Sequence, residues 1–457
     1  NCNGVIKLYI NQGNFKFKDA TEGSGLESAD GFETSVTAVD INADGWMDFY
    51  VGRAGPYPPE RCKNRLFVNN GDLTFTERAA EYGLDVDTRT SGANFFDYDL
   101  DGDLDLYVLN YPQSFEYTSK IEARLDEKTN QYRPVLKPKT PWDSDRLYRN
   151  EGNGKFTNVS DKAGISNFAY GLSVTIGDFN GDHYPDIYVG NDFIQPDRLY
   201  INNRNGTFTD QLEKHFKHIS QHTMGVDIAD FDNDGLTDLI ALDMLPLKYG
   251  RQKSTQNTSS QSSYNSLINH CYFEAKVQNV LQRNNGNGTF SDVGCIAGVY
   301  KTDWSWSGLF MDIDNDGLKD LAVTNGYRRE VTDLDFMKFT FADIKKNGNI
   351  REQFKDIQDL LRLIPTYKIR NFVYRNRGDW TFEDMSGKWL TMPASWSNGA
   401  VYADFDKDGD LDWVVNNLVD KPFLYENLSR SMPNSNYLQL KLIGEGQNIN
   451  ATGASVR

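Results

Sequence analysis

Six times along the chain, side chains with oxygen donors stand at relative positions 1, 3, 5 and 9 of a nine-residue stretch. They are Asp40, Asn42, Asp44 and Asp48; Asp97, Asp99, Asp101 and Asp105; Asp178, Asn180, Asp182 and Asp186; Asp230, Asp232, Asp234 and Asp238; Asp312, Asp314, Asp316 and Asp320; and Asp404, Asp406, Asp408 and Asp412. Position 6 is glycine in five copies and His183 in the third. Successive copies lie between 52 residues (Asp178 to Asp230) and 92 residues (Asp312 to Asp404) apart. The unit is therefore roughly fifty residues plus insertions, the size of a propeller blade. A single copy leaves room for the reading of a solvated acidic turn; six copies with one spacing restrict the chain to a repeat architecture.

Apolar runs flank every copy. TSVTAVDI, GANFFDYD, LSVTIGDF, MGVDIADF, SGLFMDID and GAVYADF lead in, and DFYVG, DLYVLN, DIYVGND, DLIALD, DLAVTNG and DWVVNN lead out. Alternating aromatic and aliphatic runs around Asn/Gly turns come next, such as RLFVNNGDLTFTE, RLYINNRNGTFTD and VLQRNNGNGTFSDV. These carry a hairpin signal. The unit reads as strand A, acidic loop, strand B, connection, strand C, turn, strand D: one antiparallel four-stranded blade. The 27 Phe, 24 Tyr and 8 Trp can fill thin layers between blades even though only 39% of residues are hydrophobic. The chain opens with LYINQGNFKFKDA, a C–D hairpin lacking A and B strands. The expected fold is all-β, a seven-bladed β-propeller over residues 1–428, with six complete repeats and an N-terminal half blade. A linker, 429–436, and the start of a small β module, 437–457, follow.

Clustered carboxylates repel unless a cation joins them. Oxygen ligands at positions 1, 3 and 5, with a sharp turn at 6, match the first half of a calcium loop. A backbone carbonyl at 7 and the aspartate at 9 can complete the sphere. An oxygen-only donor set selects Ca2+ over zinc or copper, and this many protein oxygens disfavours strongly hydrated Mg2+. About six Ca2+ sites are expected. Six divalent ions add twelve positive charges to a formal −17, leaving −5. The third loop, with His183 and Asn180, is expected to bind most weakly, because histidine tolerates positive φ less well than glycine.

The acidic balance, 65 Asp plus Glu against 48 Lys plus Arg, argues against nucleic acid or an anionic membrane as partner. No apolar run is long enough to span a membrane. Cys2, Cys62, Cys271 and Cys295 form no zinc pattern; they read either as two disulfides, Cys2–Cys62 and Cys271–Cys295, or as buried thiols. His215, His218 and His222 pose the question of a transition-metal site, against a solvated or hydrogen-bonded cluster. No HExxH, GxSxG or phosphate-binding glycine loop occurs, so no catalytic residue is assigned.

Three insertions, roughly 111–146, 244–279 and 327–371, fall between strands B and C and should project from the rim opposite the acidic loops. The second contains STQNTSSQSSYNS, expected to be a mobile loop. In the third, Phe354, Ile357, Leu360, Leu361 and Ile364 recur at helical spacing before Pro365, a rim-packed or partner-docking helix.

DxDxDG loops followed by aliphatic strands and LYxNxGxGxF hairpins resemble the FG-GAP/VCBS repeats of integrin-α-like propellers. NYLQLKLIGEGQNINATGASVR resembles the start of the ASPIC/UnbV module of cartilage acidic protein-like chains, in the version found in Bacteroidota surface members. The resemblance implies an exported, calcium-stabilised binding module without a reaction of its own. It further implies an outer-membrane surface lipoprotein that partners other cell-surface proteins or a glycan beside SusC/SusD-like uptake systems. A carbohydrate-active lyase or hydrolase on the same scaffold is the alternative; a carboxylate pair in a cleft on the insertion rim would favour it.

Overall fold

The computed structural model describes residues 6–27, 31–55, 62–112, 119–128, 130–135, 144–255, 261–348, 353–354, 356–432, 435–444, 446–454 and 456. Blade I pairs Glu33–Val39, Asp48–Arg53, Arg65–Asn69 and Phe75–Glu77 in that order, all antiparallel. The same order recurs in blade II (90–158), blade III (170–210), blade IV (225–292) and blade V (305–384), while blade VI (397–425) has three strands. The expectation of seven blades is therefore corrected to six. The N-terminal run forms only a hairpin, Tyr9–Asn11 with Phe17–Asp19. No A or B strand accompanies it among the described residues.

That hairpin lies between the last blade and the first. Asn11 Nδ2 donates to the Phe405 carbonyl of blade VI at 2.7 Å, and Phe17 meets Phe405 edge-on with centroids 5.8 Å apart. On its other side, Ile6 and Leu8 pack on Leu26 with Val51, Phe67 and Phe75 of blade I.

The core sits between blades. Strand B is buried along its whole length in blades II, IV and V, as in Asp105–Asn110, because neighbouring blades cover both faces; hence its nearly continuous apolar sequence. Val39, Tyr50 and Leu66 of blade I share one cluster with Phe95, Leu106 and Val108 of blade II. The A strands of successive blades adjoin one another and form the inner ring. After strand D the chain makes a short helical turn in several blades. The glycine ending the turn after blade II, Gly164, has φ +79°, and a Cβ there would meet the Phe208 carbonyl at 2.7 Å.

The insertions cover the opposite rim and pack on one another. The first carries a hairpin, Ala123–Asp126 with Gln131–Pro134. The second forms helices Tyr249–Ser254 and Gln261–Asn269, so part of the polar run expected to be a loop is helical. Residues 256–260 of that run lie outside the described residues. The third contains helix Ile357–Arg362, with the Asp356 side chain accepting from Gln358 N at 2.9 Å; Ile364 beyond it is buried. The Tyr272 hydroxyl donates to the Glu122 carbonyl at 3.1 Å, and Tyr132 and His270 rings lie 5.3 Å apart. Insertions one and two are thereby joined.

Residues 437–457, expected to begin a β module, form no strand among those described. They cross the acidic-loop rim instead. The Tyr437 ring lies against Gly409 of blade VI, and Asn448 N donates to the Gly102 carbonyl of blade II at 3.1 Å. Cys271 and Cys295 are exposed free thiols, which rules out the disulfide reading for that pair. Cys271 ends one helix with φ +59° and Cys295 lies in the separate turn Gly294–Ala297. Cys62 is buried; its suggested partner Cys2 lies outside the described residues. No helix among the described residues is long and apolar enough to cross a membrane.

Candidate metal centres

Each acidic loop closes on its first aspartate. Asp230 Oδ1 accepts Asp234 N at 2.9 Å and its Oδ2 accepts Gly235 N at 2.8 Å. The same pair of bonds forms in every copy, on Asp40, Asp97, Asp178, Asp312 and Asp404. The turn needs positive φ at position 6. The glycines there lie between +86° (Gly235) and +97° (Gly409), and His183 adopts +67°.

The ninth-position aspartates are buried and anchor two strands at once. Asp238 Oδ2 accepts Phe231 N at 3.2 Å, and Oδ1 accepts Asn284 N at 2.7 Å from the end of strand C. Asp48, Asp105, Asp186, Asp320 and Asp412 do the same with Asn69, Asn150, Asn202, Asn376 and Asn427. Burial pushes Asp105 up to about 9, Asp320 to about 8, and Asp186 and Asp238 to about 7, although backbone N–H bonds pull each down. Asp48 and Asp412 are also raised, again mainly by burial. A buried carboxylate held this way is short of positive charge.

Sequence reasoning missed the asparagines that close strand C. In blades III to VI their side chains tie the blade to the one before it, whereas Asn69 and Asn150 reach carbonyls of their own blades, Met47 at 3.2 Å and Leu104 at 3.3 Å. Asn202 Nδ2 reaches the Tyr98 carbonyl of blade II at 2.8 Å, Asn376 reaches Phe231 of blade IV at 2.8 Å, and Asn427 reaches Ile313 of blade V at 2.8 Å. Asn284 reaches Phe179 of blade III at 3.2 Å. Asn11 on Phe405 is the same contact made by the N-terminal hairpin. The signal was present as the repeated Asn of RLYxN, but it reads as a turn former.

The donor set fits a hard divalent cation. Ligand oxygens of Asp97, Asp99 and Asp105 lie within 4.8 Å of one another, as do those of Asp230, Asp232 and Asp234; of Asp312, Asp314 and Asp316; and of Asp404, Asp406 and Asp412. Asp99, Asp232 and Asp314 each also keep a buried Oδ1 with no hydrogen-bond partner, the condition that an oxygen-coordinated ion would relieve. In the first and third loops the asparagine substitutes for a gathered carboxylate: Asn42 Nδ2 donates to Asp44 at 2.9 Å and Asn180 Nδ2 to Asp182 at 3.1 Å. Bound at such loops, Ca2+ would supply the positive charge that the aspartates lack.

The three histidines do not come together. His218 Nε2 pairs with Asp292 at 2.9 Å, His222 Nδ1 with Asp192 at 2.7 Å, and buried His215 has neither ring nitrogen bonded. Burial lowers the His215 pKa, with the Lys214 charge adding to the shift. The transition-metal reading is therefore set aside.

The profile of the FG-GAP-like repeat family matches residues 1–51, 58–108, 140–189, 178–241, 272–323 and 358–415. Cartilage acidic protein 1 of Mus musculus is 26% identical over 258 residues, covering 45% of this chain and 39% of that protein. The chain thus matches well under two thirds of that relative's length. Among solved structures, the sialidase of Trypanosoma rangeli in complex with the inhibitor DANA aligns at 9% identity and a TM-score of 0.37, over 93% of this chain and 57% of the other. The rhamnogalacturonan lyase PL11 of Bacillus licheniformis aligns at 9% identity and a TM-score of 0.33, over 87% and 72%. Likeness at that level carries no inference about activity.

Proposed function

Because the chain belongs to the family of FG-GAP-like repeat proteins, we propose that it is a calcium-stabilised extracellular binding module, recognising a protein or glycan through the insertion rim. By analogy it serves as an accessory subunit of an outer-membrane surface complex of the SusC/SusD type. The asymmetry of the two rims carries this reading. On one rim, the acidic loops and strand-C asparagines are engaged in holding blades together. On the other, partly exposed aromatic rings gather where blades II, III and V end.

Tyr111 and Tyr170 stack with centroids 4.8 Å apart, and Phe193 meets Tyr170 edge-on at 5.4 Å. Trp304 stacks on Tyr327 at 4.4 Å, and Trp306 lies 6.2 Å from the same ring. Burial, and to a lesser degree the charge of Asp192, raises the pKa of both Tyr170 and Tyr327. Phe193 itself holds φ +71°, a conformation that bulky residues keep only where the surroundings enforce it. Amphipathic rings around a few polar groups suit recognition of another molecule.

The catalytic alternative needs a carboxylate pair open to substrate. Asp303 and Glu330 adjoin on this rim, but Arg251 binds both, with Nε on Asp303 Oδ2 at 2.8 Å. The cavity beside them is about 30 Å3, room for a water rather than a sugar ring. This pair does not supply the alternative.

Affinity isolation of the intact protein from its native membrane in calcium tests the reading. A co-purifying surface partner, lost on Tyr170→Ala with Tyr327→Ala but retained on Asp234→Ala, is the expected result. Recovery of the partner unchanged by the aromatic substitutions would overturn the assignment of the rim.

A further inference from the structure

Four of the loops carry carboxylates at all of positions 1, 3, 5 and 9, yet they fall into two electrostatic kinds. In blades IV and V an arginine one residue before the strand-C asparagine reaches into the loop. Arg283 Nε lies 2.5 Å from Asp232 Oδ2 and Nη2 lies 2.6 Å from Asp234 Oδ2. Arg375 Nε lies 2.7 Å from Asp314 Oδ2 and Nη2 lies 3.0 Å from Asp316 Oδ2. Trp380 backs the first of these, with the Arg283 guanidinium 4.7 Å from its ring centroid.

Blades II and VI have no such ion pair among the described residues. Arg149, the equivalent residue in blade II, is bound by Glu151 at 2.7 Å, and the equivalent in blade VI is Glu426. Lys407 stands in that loop without an ion pair to its carboxylates among the described residues. Position 7, leucine in blades IV and V (Leu236, Leu318), is a fifth carboxylate here, Asp103 and Asp410. Both are buried, each with an Oδ1 that has no hydrogen-bond partner. Asp103 N donates to Asp101 Oδ1 and Asp410 N to Asp408 Oδ1, each at 3.1 Å, and Asp410 Oδ2 accepts Arg430 N at 3.0 Å. Two adjoining carboxylates with a buried unpaired oxygen call for a cation.

We propose that Arg283 and Arg375 are internal counter-ions that hold loops IV and V without a divalent cation, and that the obligate divalent sites are loops II and VI, where Asp103 and Asp410 add negative charge beside the gathered carboxylates. The proposal rests on the calcium reading of the loops. In blades IV and V the arginine takes the outer oxygens of the position-3 and position-5 aspartates and leaves Asp232 Oδ1 and Asp314 Oδ1 for a metal. A bound ion there adds to an existing positive charge; in blades II and VI it is the charge.

Hydrogen exchange of the intact chain, read by mass spectrometry in Ca2+ and in excess chelator, separates the two kinds. Chelation should accelerate exchange about tenfold or more around residues 97–105 and 404–412 while residues 230–238 and 312–320 stay protected. Arg283→Met with Arg375→Met should transfer that sensitivity to loops IV and V, and Arg283→Lys should restore part of the protection in IV. Equal deprotection of all four loops in the unsubstituted chain would overturn the proposal and leave the calcium reading intact. No change at any loop would overturn both. The unsubstituted chain decides the matter even where an arginine variant does not fold.

Discussion

Asp197 shows how much a single side chain can decide away from the loops. It is fully buried just before strand C of blade III. Its Oδ1 accepts Asn191 N at 2.8 Å, and its Oδ2 accepts the hydroxyls of Tyr188 at 2.6 Å and Thr223 at 2.9 Å. Burial pushes it up to about 7, against the pull of those bonds. Blade I meets the same geometry with an amide: Asn64 Oδ1 accepts Arg53 N at 2.9 Å, and its Nδ2 donates to the Tyr50 hydroxyl at 3.0 Å and Thr90 Oγ1 at 2.8 Å. A raised carboxyl contributes stability that is fully present below about pH 4 and is lost as pH rises through 7. Asp197→Asn should therefore stabilise the protein at pH 8, by on the order of 1–3 kcal/mol, and change little at pH 4. Urea unfolding at the two pH values tests this; an equal shift at both would contradict it. At this scale the loop aspartates were legible because their spacing repeats. Asp197, its counterparts Asp145 and Asn371, and the strand-C asparagines were not, since one Asx beside a strand looks like any turn residue until its hydrogen-bond partners are known.

Strands A to D could be read from alternation and turn residues because each is short, locally encoded and bounded by Asn or Gly. Loop III is the element where local chemistry and geometry disagree. His183 holds φ +67°, where the other five loops place glycine, and a side chain in that region costs about 1–2 kcal/mol. His183→Gly should raise stability by about 1 kcal/mol and tighten cation binding at that loop, both measurable by denaturation with and without Ca2+. A destabilised variant would mean that the His183 ring, 3.9 Å from Asp178 Oδ2, matters more than its backbone. The strand-C element makes a second prediction. Asn202→Ala removes bonds to the carbonyls of Tyr98 at 2.8 Å and Pro185 at 3.2 Å, and should cost about 1–3 kcal/mol. A change within error in urea unfolding would show that water replaces the amide there. Helix Gln261–Asn269 could not be read from sequence. Its polar run has no apolar period, and the chain after it is fixed by Tyr272 reaching Glu122, 150 residues away, a tertiary contact that overrides local preference.

For the whole molecule, the six acidic-loop repeats correspond to the six blades, and the expected seventh came from counting the N-terminal hairpin as part of another. A hairpin is encoded locally, whereas a blade needs all its strands to pair, and the N-terminal hairpin pairs with no A or B strand among the described residues. It still occupies a place in the ring through Asn11, Phe17, Ile6 and Leu8. Ring integrity thus depends on two things: the blade-to-blade asparagine bonds and the charge state of the loops they join. Without divalent ions the formal charge is −17, much of it concentrated along one rim, so that self-repulsion strains the contacts holding successive blades. Added Ca2+ should raise the melting temperature progressively, since a ligand that binds only the folded state contributes about 2.7 kcal/mol per site at one hundred times its dissociation constant. In excess chelator, the drop should shrink when sodium chloride is raised to about 1 M, where the screening length falls to roughly 3 Å. Screening replaces repulsion relief but not coordination, so salt should recover only part of the loss. Melting that ignores chelator at low salt would remove calcium from the account of this fold. Full recovery by salt alone would show that the rim needs counter-ions in general and no coordinated metal.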